Sequence, residues 1–106
     1  MIAKAIERPD GMNRLEAEYA IVLEAMLRAG RIKRWDYQPV KLRLADKTFY
    51  TPDFRVIAND DTQEMHETKG FMRDDANVKL KVAAEQHPYR FKLVRKVNKQ
   101  WEVSEV

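Results

Sequence analysis

Thr51-Pro52-Asp53 and Glu67-Thr68-Lys69 are the two runs of this chain whose side chains could act together on a phosphate ester. On a strand alternate residues share a face, so Glu67 and Lys69 project to one side. Asp53 precedes Glu67 by 14 positions, with turn-forming Asn59-Asp60-Asp61 between them. Folded as a hairpin, the segment brings Asp53 level with the end of the second strand, and two carboxylates and one ammonium converge. That trio suits phosphodiester hydrolysis. Mg²⁺ takes its oxygen ligands from one or two carboxylates, waters and substrate phosphate. Such an ion lowers the pKa of a bound water and neutralises charge on the phosphate. A lysine adds a positive point charge beside the reacting atoms. Each half alone has an ordinary explanation, since Asp after Pro is a common turn pair and Glu-x-Lys an ordinary exposed ion pair. Their spacing, with a hairpin between them, favours the catalytic reading.

Glu16 is the third acid. Asn13-x-x-Glu16 matches a capping box, in which the glutamate reaches back to the cap residue's N–H. At about 100° per residue, however, Glu16 falls between Leu23 and Leu27 on the inward arc, while Glu18 and Glu24 point outward. A carboxylate aimed at the core edge costs free energy unless a cation meets it. A metal held by Asp53 and Glu67 would be that cation, so a ligand role is expected for Glu16. His66 alternates to the face opposite Glu67, and His87 lies near a helix end; both read as core or surface histidines. Trp35, Tyr37, Phe49, Tyr50 and Phe54 lie on strand-like segments, where core packing is the default for aromatics. The chain holds no cysteine, which excludes disulfides, thiolate zinc sites and a cysteine nucleophile. Glycine-rich phosphate loops, Ser/His/Asp arrangements and zinc-finger spacings are absent too.

The elements that must carry these residues follow from the periodicities. Residues 1–11 read as a lead-in and 12–106 as one domain, a length suited to a single core. Asn13 caps a helix that Gly30 ends, with Leu15, Tyr19, Val22, Leu23, Met26 and Leu27 at helical spacing. Strand character follows over Ile32–Gln38, Val40–Leu44, Thr48–Ile57 and Gln63–Lys69, read as a β-meander. Asp74 can cap a second helix that Pro88 stops near His87. Its apolar residues form two stripes, Ala76/Leu80/Ala83/Ala84 and Val78/Val82, as in a helix covered on two sides. Tyr89–Val97 and Trp101–Val106 complete an α/β sandwich around one mixed sheet. The net charge of +3 is small, but residues 71–99 carry eight basic side chains against three acidic ones, a surplus that attracts phosphates. Apolar residues at 44% argue for a folded chain. No apolar run approaches the roughly 18–20 residues of a membrane helix. The first eight residues lack the apolar region of a secretory leader, so a cytoplasmic location is expected.

The ordered set Asn13-Arg14-Leu15-Glu16-Ala17, Tyr50-Thr51-Pro52-Asp53-Phe54 and His66-Glu67-Thr68-Lys69-Gly70-Phe71 resembles the PD-(D/E)XK nuclease superfamily. Within it, the set is similar to the small phage proteins of the endonuclease I and Holliday-junction-resolvase-like group, over residues 11 to 96. The resemblance implies a restriction-endonuclease-like α/β core, a central mixed sheet flanked by helices, with a pair of Mg²⁺ or Mn²⁺ ions. It implies that Glu16, Asp53 and Glu67 are metal ligands, that the backbone carbonyl of Thr68 is a further one, and that Lys69 stands as the catalytic lysine. It also implies a phage-encoded, homodimeric DNA endonuclease selective for branched DNA, working in a bacterial host's cytoplasm, with Val78/Val82 at the subunit contact. Lys79, Lys81 and Gln86 are open choices for an extra polar residue on the second helix. Arg73, Lys79, Lys81 and Lys96 are expected to hold DNA phosphates. A linear, flapped or nicked duplex is the alternative substrate. A non-catalytic DNA-binding module is the alternative of another class.

Overall fold

A computed structural model describes residues 11–70 and 74–106, with the side chains of 74–76 left aside. The expected lead-in, apart from Gly11, and Arg73 therefore lie outside the described residues. The chain folds as α1 (Arg14–Arg28), β1 (Arg34–Tyr37), β2 (Leu42–Ala45), β3 (Thr48–Tyr50), β4 (Phe54–Ile57), β5 (Gln63–Lys69), α2 (Asp74–Gln86), β6 (Arg90–Val97) and β7 (Gln100–Glu105). Helix α1 begins with a complete capping box: the Asn13 side chain accepts the Glu16 N–H at 2.8 Å, and Glu16 Oε1 accepts the Asn13 N–H at 2.9 Å. It ends where Gly30 takes a φ of +75°, a left-handed conformation that costs glycine nothing.

β1, β4, β5, β6 and β7 form one five-stranded sheet in that order. Only the β5–β6 pair is parallel, and α2 supplies the crossover such a pair requires. The α/β class with a mixed sheet is therefore as the periodicities indicate. Two details differ. Thr48–Ile57 is not one strand, because Thr51-Pro52-Asp53 interrupts it; Pro52 has no N–H to give a ladder. In consequence β2 and β3 leave the main sheet and pair only with each other, as a bulged hairpin. The meander is thus confined to β1, β4 and β5, in a spatial order that skips the hairpin.

The sheet also divides the expected single core in two. Tyr19 and Leu23 of α1 pack with Met12, Ile32, Phe54, Val56 and Val94 on one face. On the other, Leu80 and Ala83 of α2 meet Met65 and Phe91, with Leu42 and Tyr50 of the hairpin completing the cluster. A sheet apolar on both faces needs a cover on each, and α1 covers one while α2 and the hairpin share the other. Of the two α2 stripes, the Leu80/Ala83 side is buried, whereas Val78 stays 56% exposed and Val82 half-buried. Among the described residues no helix is long and apolar enough to cross a membrane.

Candidate active site

The antiparallel register pairs Phe54 with His66, so Asp53, one step earlier, stands level with Glu67 at the end of the β4–β5 ladder. This is also the carboxyl end of the parallel strands β5 and β6, where open α/β sheets characteristically bind ligands. Pro52 and Asp53 are buried. Asp53 Oδ2 accepts two hydrogen bonds from one residue, the Thr68 N–H at 2.9 Å and the Thr68 hydroxyl at 2.8 Å. Glu67 Oε1 accepts the Tyr50 hydroxyl at 2.5 Å. Pairing across the strand end thus holds both carboxylates in fixed orientations.

Their protonation is far from ordinary. Burial, followed by the neighbouring Glu67 charge, pushes the Asp53 carboxyl up to about 8, against the pull of the two Thr68 donors. Burial likewise pushes Glu67 up to about 7; the Tyr50 hydroxyl and the Asp53 backbone N–H work in the opposite direction, and the Glu16 charge adds to the rise. Like-charged carboxylates in a poorly solvated site behave this way. The Tyr50 phenol is itself raised by burial and by Glu67, so it stays a donor.

Glu16 reaches this end of the sheet from the first turn of α1. It is 8% exposed, and its Oε1 accepts both the Asn13 N–H and the Tyr37 hydroxyl, the latter at 3.0 Å. The capping box and the inward placement are therefore both real, and one carboxylate serves in each. Its charge is felt by Asp53 and by Glu67. Lys69 follows Glu67 by two residues on the same strand face, half-buried, in register with Arg95 of β6.

Among the described residues no group of three or more His, Cys, Asp or Glu side chains is disposed to hold a metal ion. The structure unites Asp53 with Glu67 and leaves Glu16 electrostatically coupled to them but engaged by its own cap. Two hard oxygen donors whose charges are mutually unfavourable still fit a divalent cation, because Mg²⁺ commonly takes only one or two protein carboxylates. Thr68 contributes its N–H and hydroxyl, both spent on Asp53.

Of the basic residues expected to grip DNA, the described ones, Lys79, Lys81 and Lys96, are divided between α2 and β6. Lys79 and Lys81 are exposed on α2 but, two residues apart, diverge by about 200° around the helix. Lys96 bonds Glu18 at 3.0 Å and lies over the Trp101 ring. His66 is buried in the α1-side core, its Nδ1 2.7 Å from the Tyr19 hydroxyl and its Nε2 2.8 Å from Glu64. Tyr37 and Tyr50, read from the sequence as core aromatics, are the phenols that hold Glu16 and Glu67. For Tyr50 the signal was proximity, since it opens the same Tyr-Thr-Pro-Asp run that contains Asp53. Phe49 corrects the aromatic assignment in the other direction: alternation on β3 buries Tyr50 and leaves Phe49 40% exposed. No protein-family model, no curated protein and no solved structure matches this chain.

Proposed function

We propose that the protein is a divalent-metal-dependent DNA endonuclease with a restriction-endonuclease-like core, selective for branched DNA. One observation carries the reading: Asp53 and Glu67, oriented by Thr68 and Tyr50 at the end of the sheet, form a like-charged pair, Asp53 buried and Glu67 half-buried, that favours protonation of both, with Lys69 on the same strand face. In this reading Asp53 and Glu67 hold Mg²⁺ or Mn²⁺, and Glu16 completes the oxygen set. When bound, the ion supplies a more acidic water and neutralises charge on the phosphate. The Lys69 ammonium orients the attacking water and stabilises the phosphate oxygens in the transition state. Thr68 keeps Asp53 in one rotamer, and Tyr50 keeps Glu67 more readily ionised than burial alone allows.

The test is a cleavage assay on synthetic four-way junctions, flaps, nicked and linear duplexes, with Mg²⁺, with Mn²⁺ and with chelator. Cutting of the junction that requires metal is the expected result. Preference for flapped, nicked or linear duplex would transfer the activity to another DNA structure, and firm binding without cutting under any metal would make the protein a binding module.

Tyr50 gives a sharper expectation. In Tyr50→Phe the Glu67 carboxyl loses its hydroxyl donor and rises further. Cleavage at pH 7 should fall by about tenfold, with the acid limb of the pH–rate profile moved upward so that activity recovers in alkali. An unmoved limb would deny Tyr50 this role, since simple loosening of the fold would lower the whole profile evenly.

A further inference from the structure

The β2–β3 hairpin presents a face that neither the acid cluster nor the sheet uses. Its inner residues Leu42 and Tyr50 are buried in the α2-side core, and His87 Nε2 lies 3.0 Å from the Arg43 carbonyl oxygen, fastening the strand to the end of α2. The hairpin is therefore anchored. Its outer face carries Arg43 and Phe49, which are cross-strand partners, with the Lys41 ammonium 5.4 Å from the Phe49 ring centroid. Lys47 occupies the turn between the strands in a left-handed conformation, φ 57°. Lys41, Arg43 and Lys47 are exposed, and Phe49 is 40% exposed. From residue 40 to residue 50 the one acid is Asp46.

A lone exposed aromatic is ordinary. Phe49 differs in being framed by cations and in lying next to Tyr50, whose hydroxyl holds Glu67. Asp53 lies four positions after Phe49, at most about 14 Å of extended chain, a distance a nucleic-acid strand covers in a few nucleotides. Aromatic rings stack on any unpaired base, and Lys and Arg beside them take the phosphates. Self-association is disfavoured because two copies of this face would set like charges against each other.

We infer that the outer face of the β2–β3 hairpin binds an unpaired nucleotide of the DNA, with its base stacked on Phe49 and its flanking phosphates on Lys41, Arg43 and Lys47. The inference rests on the nuclease reading for the identity of the nucleic acid and adds to it the part of the substrate recognised: a base freed from pairing, as at a junction, flap or tail.

The experiment measures, by fluorescence anisotropy in chelator, binding of a labelled blunt duplex and of the same duplex with a single-stranded tail. The parent should prefer the tailed DNA. Phe49→Ala should lose about 5- to 100-fold in affinity for the tailed DNA with little loss for the blunt one, and Phe49→Tyr should restore it. Lys41→Ala with Arg43→Ala should weaken both and reduce the salt slope by about two. Because Phe49 is exposed, Phe49→Ala should melt like the parent, and the tyrosine variant covers the case where it does not. Equal affinity of the parent and Phe49→Ala for the tailed DNA would overturn the inference. So would a parent that self-associates through Phe49 with no effect on DNA binding. The parent's cleavage in Mn²⁺ separates the two claims. Cutting without dependence of binding on Phe49 removes the hairpin's role alone, whereas Phe49-dependent binding without cutting removes the nuclease reading alone.

Discussion

Asp53→Asn is expected to abolish metal-dependent cleavage and, at the same time, to make the metal-free protein more stable. The amide keeps an acceptor oxygen for the Thr68 N–H and hydroxyl but carries no charge. Activity should drop by roughly 10³-fold or more, because a group acting on transition-state charge is lost. Stability moves the other way. The parent holds Asp53 beside Glu67 in a buried site that raises the pKa of both, and a neutral side chain removes that repulsion. A gain of about 1–3 kcal/mol at pH 8 in chelator is reasonable for relief of a buried like-charge pair. For a domain of this size that corresponds to about 5–15 °C in Tm. Paired cleavage and thermal-melting measurements test both halves. A variant that cuts like the parent removes Asp53 from the chemistry, and one that is less stable than the parent removes the strain argument.

The same pair sets a pH dependence whose sign is fixed. Asp53 and Glu67 have folded-state pKa values raised to about 8 and about 7, above the ordinary carboxylate range near 4. The native state then binds more protons than the unfolded chain, so their contribution is complete below pH 4 and is lost as pH rises toward 8. His66 acts oppositely. Burial lowers its pKa from 6.5, despite the Glu64 hydrogen bond, so its contribution is present above that value and lost as pH falls below it. Glu64, lowered by its bonds to His66 and Lys92 against burial, also acts on the acid side. Between pH 6.5 and 8.5 the acid pair therefore dominates, and melting in chelator should show stability falling with pH. Saturating Mn²⁺ should flatten or invert that slope, since binding to the ionised carboxylates releases their protons. The rise in Tm caused by Mn²⁺ should be larger at pH 8 than at pH 6. A metal-independent profile, flat across this range, would sink the claim that these carboxylates share a cation.

Convergence of Asp53 with Glu67 was legible because both ends of a short hairpin lie within one stretch of sequence, where period-two alternation and a turn determine who faces whom. The capping box of Glu16 and its inward placement were each legible for a similar reason, as capping and helical phase are both local. Less was readable where the outcome depended on partners distant in sequence. Thr48 to Ile57 has the β-branched and aromatic composition of one strand, and its composition does not reveal that Pro52 hands the chain from a detached hairpin to the main sheet. Phe49 and Tyr50 are alike as hydrophobic residues; only the docking of that hairpin on α2 decides that the first faces water and the second a carboxylate. The segregation of apolar residues into two clusters was likewise hidden until the strand order was known, because length bounds the amount of core and not its partition.

The ladder between β4 and β5 has a bearing on how such a chain could drift. Strand parity, rather than chain length, keeps Asp53 abreast of Glu67, and the connection between the strands is closed by the Ala58 N–H to the Thr62 carbonyl at 2.9 Å. Insertions at Asn59–Asp61 would lengthen an exposed bend and leave both acids where they are. Deleting a single residue within β5 would instead invert the strand, turning Glu67 and Lys69 toward α1 and delivering His66 and Thr68 to the opposite side. Homologues should accordingly vary freely in the number of residues separating the two acids while tolerating almost no change between Met65 and Lys69.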